Sequence, residues 1–134
     1  MTIIADRLLP PLDDDNREFW TSGASGELRL PRCASCGTWN FPPSLACPDC
    51  GGTAAYEPLS GRGRVFTFTV NHHPFNPEVA LPYVIAIVEL VEQEGLRFTT
   101  NVVNCPVDVV EIGMPVQVVF EQHDGVFVPL FEPV

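Results

Sequence analysis

The chain has 134 residues, 46% of them hydrophobic, so it is long enough to build the core of one ordinary domain or of two very small ones. Its formal net charge is −10, with 17 acidic residues against seven basic ones, and this field would repel a nucleic-acid backbone unless the bases were concentrated in one patch. No apolar stretch is long enough to span a bilayer, and the N-terminus does not resemble a secretory signal. These features predict a soluble, cytoplasmic protein.

The first predicted element is a helix of two or three turns within residues 12–28. Asp13–Asp15 stand where a helix N-cap and first turn favour acidic side chains, and Gly23 and Gly26 favour the end of the helix. Phe19 and Trp20 lie side by side in its middle, so they either fold back on the domain or dock on another protein. Aromatic pairs near a chain end more often pack within their own chain, but both residues are candidate partner contacts.

Two CxxC pairs follow, within the stretch RCASCGTWNFPPSLACPDCG. Four sulfurs presented by two such turns close a tetrahedron around Zn(II) and leave no position for water or substrate. A glycine follows each pair, where positive φ lets backbone N–H groups turn toward the sulfurs. A redox dithiol needs only one CxxC, and buried free cysteines have no reason to repeat the spacing. The motif predicts a structural zinc site, with the ligands Cys33, Cys36, Cys47 and Cys50.

The fifth cysteine, Cys105, stands alone before Pro106. No nearby base would activate it, so we expect a lone buried thiol. Four clustered cysteines and one isolated cysteine do not form the evenly spread framework of a secreted disulfide protein, and they fit a reducing compartment better.

After the zinc motif the chain changes to short runs rich in β-branched and aromatic residues, separated by turn signals. In the first run, Phe66 and Phe68 alternate with threonines, which predicts that both phenylalanines pack in the core. Five short strands without a long helix predict a small barrel, and five is the strand count of an OB-fold. The five predicted strands are residues 64–70, 83–90, 96–103, 115–121 and 125–131.

Two further groups of side chains are candidates for binding. His72 and His73 follow the first strand of the barrel, where imidazoles can act as acids or bases near neutral pH or shape a contact surface. Arg62 and Arg64, together with two arginines before the first CxxC, form a candidate site for phosphate groups, because guanidinium groups match phosphate oxygens. The alternative is that these arginines are solvated charges or form ion pairs with Glu27 and Glu57.

Several of these stretches together resemble the DUF35 family. They are FW, GELRLPRCASCGTWNFPPSLACPDCG, PLSGRGRVFTFTVNHHP, PYVIAIVEL, IGMPVQVVFE and PLFEP. The resemblance implies a mainly β protein with three parts: an N-terminal helical segment (1–28), a rubredoxin-like zinc ribbon (29–57) and a five-stranded OB-fold (58–134). It also implies that the chain is an accessory subunit of an acyl-CoA-metabolising complex, which would act in lipid or steroid metabolism. Such a subunit binds a thiolase-fold enzyme (thiolase, aldolase or acyltransferase) or a hotdog-fold hydratase, and helps hold or channel acyl-CoA. With acyl-CoA as the ligand, the candidate CoA contacts are Arg62, Arg64, His72 and His73.

Two other functions stay open at this point. A stand-alone nucleic-acid-binding module would use the OB-fold and exposed aromatic side chains, but the net charge argues against it. Acyl transfer by this chain alone would rest on the two adjacent histidines. No nucleophile and base pair, phosphate-binding glycine loop or telling pair of carboxylates is present, so we predict no catalytic residue.

Overall fold

The computed structural model describes residues 8–77 and 79–134 as one short helix, a two-stranded sheet and a five-stranded closed barrel. Short 3₁₀ turns follow the helix at Ser22–Ser25 and precede the fourth barrel strand at Val107–Val109. No helix in the described ranges is long and apolar enough to cross a membrane. The elements are α1 (Arg17–Thr21), β1 (Leu28–Cys33), β2 (Ala54–Leu59), β3 (Arg62–Asn71), β4 (Tyr83–Leu90), β5 (Arg97–Val102), β6 (Pro115–His123) and β7 (Val126–Pro133).

The N-terminal helix forms where the sequence predicts it, because hydrogen bonds among the residues just before it order its start. Asp13 and Asn16 exchange two hydrogen bonds: the backbone N–H of each donates to the side-chain oxygen of the other at 2.8 Å. The α-helix runs from Arg17 to Thr21 and continues as the 3₁₀ turn, which Gly26 ends in the left-handed conformation at φ 77°. The two segments together cover nine residues, between two and three turns.

The strands β1 and β2 form an antiparallel sheet whose open end carries the metal motif. Leu28 pairs with Leu59 at one end, and Cys33 pairs with Ala54 at the other. The chain between the two strands holds both CxxC turns. Pairing of the flanking strands therefore brings the first and second turns together.

The five barrel strands agree with the five predicted runs to within two residues at each end. They close in the order β3-β4-β5-β7-β6, with β6 returning to β3 through the pairs Arg62–Gln117 to Arg64–Pro115. All neighbouring strands are antiparallel except β5 and β7, whose parallel ladder in the described chain is the single pair Val102–Phe131. The barrel core consists mainly of valines and leucines around the fully buried Phe131.

One core prediction is wrong. Phe68 is half-buried against the core, as predicted, but Phe66 is 41% exposed. The pairing of β3 with β4 shifts between Val65 and Thr67, so Phe66 falls in a β-bulge and its side chain leaves the inward face. The guanidinium of Arg97 lies 3.7 Å from the centre of its ring.

The ribbon, the helix and the barrel are held together by a cluster of aromatic rings and by two hydrogen bonds of the Gln93 side-chain amide. The ring of Phe19 lies 5.6 Å from Phe41 of the ribbon and 6.2 Å from Phe98 of the barrel. Gln93, in the turn between β4 and β5, accepts a hydrogen bond from the Trp39 N–H at 2.9 Å and donates one to the Trp39 carbonyl at 3.2 Å. These contacts fix the ribbon relative to the barrel.

Candidate metal centre and apolar groove

The four predicted zinc ligands converge at the open end of the β1–β2 sheet. Their sulfur atoms all lie within 4.8 Å of one another. Cys33 Sγ is 3.5 Å from Cys50 Sγ, and Cys36 Sγ is 3.7 Å from Cys47 Sγ. A tetrahedron with Zn–S bonds of about 2.3 Å has sulfur-to-sulfur edges of about 3.8 Å. The spacing therefore fits a Cys₄ zinc site without large movement of the backbone.

The backbone of each turn supports this arrangement. Gly37 and Gly51 have φ near +75° and donate their N–H groups to the carbonyls of Cys33 and Cys47, each at 2.9 Å. In the first turn, the Cys36 N–H also points at Cys33 Sγ from 3.5 Å and lowers the pKa of the Cys33 thiol. The Cys36 N–H contact favours the thiolate of Cys33, and thiolate is the form that binds zinc. At Cys50 the backbone N–H of Gly52 acts in the same direction, but hydrogen bonds with the Cys33 and Cys36 thiols outweigh it and raise the pKa of Cys50 to about 12.

A hydroxyl supports the exposed ligand of the first pair. Thr38 Oγ1 lies 3.2 Å from Cys36 Sγ. Hydrogen bonding with the side chain and then the backbone of Thr38 lowers the pKa of the Cys36 thiol to about 6. Bound zinc would be structural: four protein sulfurs complete its shell, and its contribution is folding free energy.

Cys105 lies apart from this cluster, as predicted. It is half-buried in the loop after β5, and burial raises the pKa of its thiol. A raised pKa leaves the thiol protonated near neutral pH, so it is a poor nucleophile.

The four residues named for CoA binding do not form one site. Arg62 begins β3, whereas His72 and His73 lie just beyond its other end. Nine residue steps of extended strand separate the ends by about 30 Å. All four side chains are exposed, and the ring of His73 packs against Phe75 with centroids 4.4 Å apart. The structure thus splits the predicted set into an arginine pair and a histidine loop.

The two arginines before the first CxxC are both ion-paired. Arg29 Nε lies 2.8 Å from Glu18, and its Nη1 lies 3.5 Å from Glu27. Arg32 lies 3.9 Å from Glu57. The alternative of ion pairing is therefore confirmed for these two arginines, and no concentrated basic patch forms on the ribbon.

An ion triad on the outside of the barrel was not predicted from the sequence. Glu89, with a side chain only 6% exposed, accepts hydrogen bonds from Arg64 at 2.9 Å and from Arg97 at 3.0 Å. Arg64, then the Gly95 N–H, then Arg97 lower the pKa of Glu89 to about 2. The pairing register places the three side chains in one row across β3, β4 and β5. The triad carries two positive charges and one negative charge on an otherwise acidic protein.

The third histidine pairs with a buried acid. His123 Nε2 lies 2.7 Å from Glu121 Oε1, and the Glu121 side chain is fully buried. Two positions apart on β6, they share one face of the strand. Neither lines the groove described below.

The two aromatic residues of the helix have different environments. Phe19 is 1% exposed, so its side chain packs within its own chain and leaves almost no surface for a partner. Trp20 is half-buried, with its ring 4.8 Å from that of Phe19. Its remaining surface faces an apolar groove.

This groove has a volume of about 380 Å³ and lies along β5 and β7, beside the point where they close the barrel. The helix supplies one wall, Phe41 of the ribbon another, and Leu8, Leu9 and Pro10 the rim. Leu8 is 96% exposed. The sequence does not predict this groove, because its lining residues come from six separated segments of the chain.

Two domain families match the chain. The rubredoxin-like zinc ribbon domain of ChsH2 matches residues 20–57, and the C-terminal OB-fold domain of ChsH2 matches residues 56–121. Similar curated proteins include a probable enoyl-CoA hydratase alpha subunit of Thermomonospora curvata, 37% identical over 92% of this chain. Another is a DUF35 domain-containing scaffold protein of Methanocaldococcus jannaschii, 45% identical over 70% of this chain and 69% of the relative.

A solved structure agrees over nearly the whole chain. One chain of an Ltp2-ChsH2(DUF35) aldolase superposes with a TM-score of 0.82 at 36% identity, covering 93% of this chain and 98% of that one. By contrast, this chain spans only 39% of the length of the Thermomonospora hydratase subunit.

Proposed function

Because this chain belongs to the DUF35 family, we propose that it is a non-catalytic accessory subunit that binds an acyl-CoA enzyme and helps hold its substrate. The proposed partner is a thiolase-fold protein, such as a thiolase, aldolase or acyltransferase, or a hotdog-fold hydratase. One observation carries the proposal: nearly the full length of the chain superposes on one chain of an assembly named as an aldolase. The names scaffold protein and hydratase alpha subunit among the relatives support it.

The loop after β3 is the proposed docking element. Phe75 is 77% exposed there, and residues 71–75 are held by their own contacts: Asn71 Nδ2 donates to the His73 carbonyl at 3.0 Å, and the Phe75 N–H donates to the same carbonyl at 2.9 Å. An exposed aromatic on a preorganised loop loses little conformational entropy when it enters a partner's pocket. In this proposal the histidines shape the contact surface and have no catalytic role.

CoA binding is proposed for the opposite end of β3. Arg62 and Arg64 are exposed and two residues apart, so they share the outward face of the strand. Guanidinium groups match phosphate oxygens well. The triad keeps Arg64 in place while its side chain remains 64% exposed.

The alternative of nucleic-acid binding gains no support from the charges. Arg29, Arg32, Arg64 and Arg97 are each ion-paired, and the net charge is −10. A protein that follows a phosphate backbone needs cations free along a groove. Absence of binding to single-stranded nucleic acid at low salt would remove this alternative.

The test of the accessory function is capture of the partner from the native host by the tagged full chain, followed by identification of the captured protein. We expect a thiolase-fold or hotdog-fold protein. Phe75→Ser should weaken capture at least ten-fold, because truncating a central aromatic anchor commonly costs about 2 kcal/mol or more. Val91→Ser is the matched control, since Val91 is 66% exposed in the turn at the other end of the barrel.

Two results would contradict the proposal. One is the absence of any acyl-CoA enzyme among the captured proteins. The other is equal loss of capture in Phe75→Ser and Val91→Ser, which would place the docking surface elsewhere. His72→Ala and His73→Ala should leave the rate of the assembled enzyme unchanged, and a loss of rate without loss of assembly would return them to catalysis.

A further inference from the structure

The groove beside Trp20 has the dimensions of a small-molecule site. Its volume of about 380 Å³ falls within the range of about 300–1,000 Å³ typical of ligand pockets. A stable protein interface, by comparison, covers about 800 Å² on each partner and is usually much flatter. The groove is thus suited to a ligand chain.

Its lining selects an apolar ligand. All the lining side chains are uncharged, and four aromatic rings form much of the wall. The two buried polar side chains of the groove have partners within the protein: Thr100 Oγ1 donates to the Pro129 carbonyl at 2.9 Å, and Asn101 Nδ2 donates to the Val84 carbonyl at 2.8 Å. A hydrocarbon chain would leave none of these donors unsatisfied, whereas a polar ligand would lose its own hydrogen bonds to water.

A cationic group lies beside one edge of the groove. Thr99, which is exposed, lines the groove on β5. Arg97 precedes it by two residues on the same outward face, at a distance of about 7 Å along the strand. Its side chain is 39% exposed; its guanidinium lies over the Phe66 ring on β3, and it shares Glu89 with Arg64. The cationic surface therefore starts from a residue two positions along β5 from the groove and extends across β4 toward β3.

We propose that the groove binds the acyl chain of a CoA thioester, with the anionic CoA leaving past Thr99 toward Arg97 and Arg64. In this proposal the acyl chain lies between β5 and β7, against the rings of Trp20 and Phe98. This inference rests on the function proposed above, because acyl-CoA is the ligand class of that function. It adds which part of the molecule this subunit holds and where.

The first test measures binding to the isolated, zinc-loaded chain by calorimetry, using CoA, hexanoyl-CoA, decanoyl-CoA and decanoate. Each methylene that enters the groove should increase affinity about four-fold, which corresponds to about 0.8 kcal/mol per buried CH₂. CoA alone should bind more weakly than either thioester. Equal affinities for CoA and decanoyl-CoA would overturn the proposal. Equal affinities for decanoate and decanoyl-CoA would identify a fatty-acid site and would also overturn it.

The second test fills the groove. Thr99→Trp places a large ring at its edge, and we expect at least a ten-fold loss of decanoyl-CoA affinity. Thr67→Trp is the matched control, because Thr67 lies in the same cross-strand row through Ile87 but does not line the groove. Unchanged affinity in Thr99→Trp would contradict the proposal. Thermal unfolding checks that both variants fold, and the chain-length series on the unmodified protein decides the matter if either does not.

Failure of this inference is distinguishable from failure of the accessory function. If the partner is captured but the affinity for acyl-CoA does not depend on acyl length, only the assignment of the groove is wrong. If affinity rises with acyl length but no acyl-CoA enzyme is captured, the groove assignment stands and the accessory function falls.

Discussion

Replacing Phe19 by alanine should destabilise the whole protein, because this side chain joins helix, ribbon and barrel. It is 1% exposed and touches three other rings: Trp20 at 4.8 Å, Phe41 at 5.6 Å and Phe98 at 6.2 Å between centroids. Truncation of a buried phenylalanine typically costs about 3–5 kcal/mol. Loss of the aromatic contacts places the expected cost at about 4 kcal/mol or more.

The assay is unfolding of the zinc-loaded chain by urea and by heat, followed by circular dichroism. For a domain of this size, 1 kcal/mol changes the melting temperature by about 3–5 °C, so Phe19→Ala should lower it by about 10–20 °C. Phe75→Ala is the control: this side chain is 77% exposed, and its loss should cost within about 0.5 kcal/mol. Similar costs for the two variants would refute the placement of Phe19 in the core.

Two further predictions concern the metal and the ion triad. Cys33→Ser, or chelation of zinc, should unfold the ribbon, because a structural zinc contributes folding free energy. The proposed enzyme complex should then lose its activity only because it no longer assembles, which gel filtration and calorimetry of the chelated protein check. Loss of activity with an intact fold and an intact complex would contradict a structural role. Glu89→Gln should be destabilising near neutral pH. Because the pKa of Glu89 falls from 4.5 to about 2 on folding, the stabilisation is complete above about pH 4.5 and disappears as pH falls toward 2. Denaturant titrations of both proteins across this range should therefore converge, and a gap that is independent of pH would show that the charge of Glu89 is not responsible.

Features encoded by short-range pattern were predicted from the sequence. The spacing of the cysteines identified a ligand set whose sulfurs lie within 4.8 Å of one another. The five strands followed from alternation and turn residues, because strand formation and turn chemistry depend on neighbours along the chain. The helix followed from its N-terminal acids and from Gly26.

Features that depend on which strands meet were decided by the tertiary structure. Phe66 and Phe68 look alike in the sequence, but a bulge opposite β4 turns Phe66 outward beneath Arg97. Phe19 and Trp20 are adjacent, yet packing against ribbon and barrel buries the first and leaves the second beside the groove.

The arginines and histidines near β3 show the same limit on a larger scale. Arg62 and His72 are ten positions apart, a separation that a turn would bring together and an extended strand holds about 30 Å apart. Glu89 gained two arginine partners because pairing of β4 with β3 and β5 placed them in one row. Local chemistry therefore determined the zinc site and the strands of this protein. Register and barrel closure, which depend on contacts between distant residues, decided the ion triad, the groove and the surface available to a ligand.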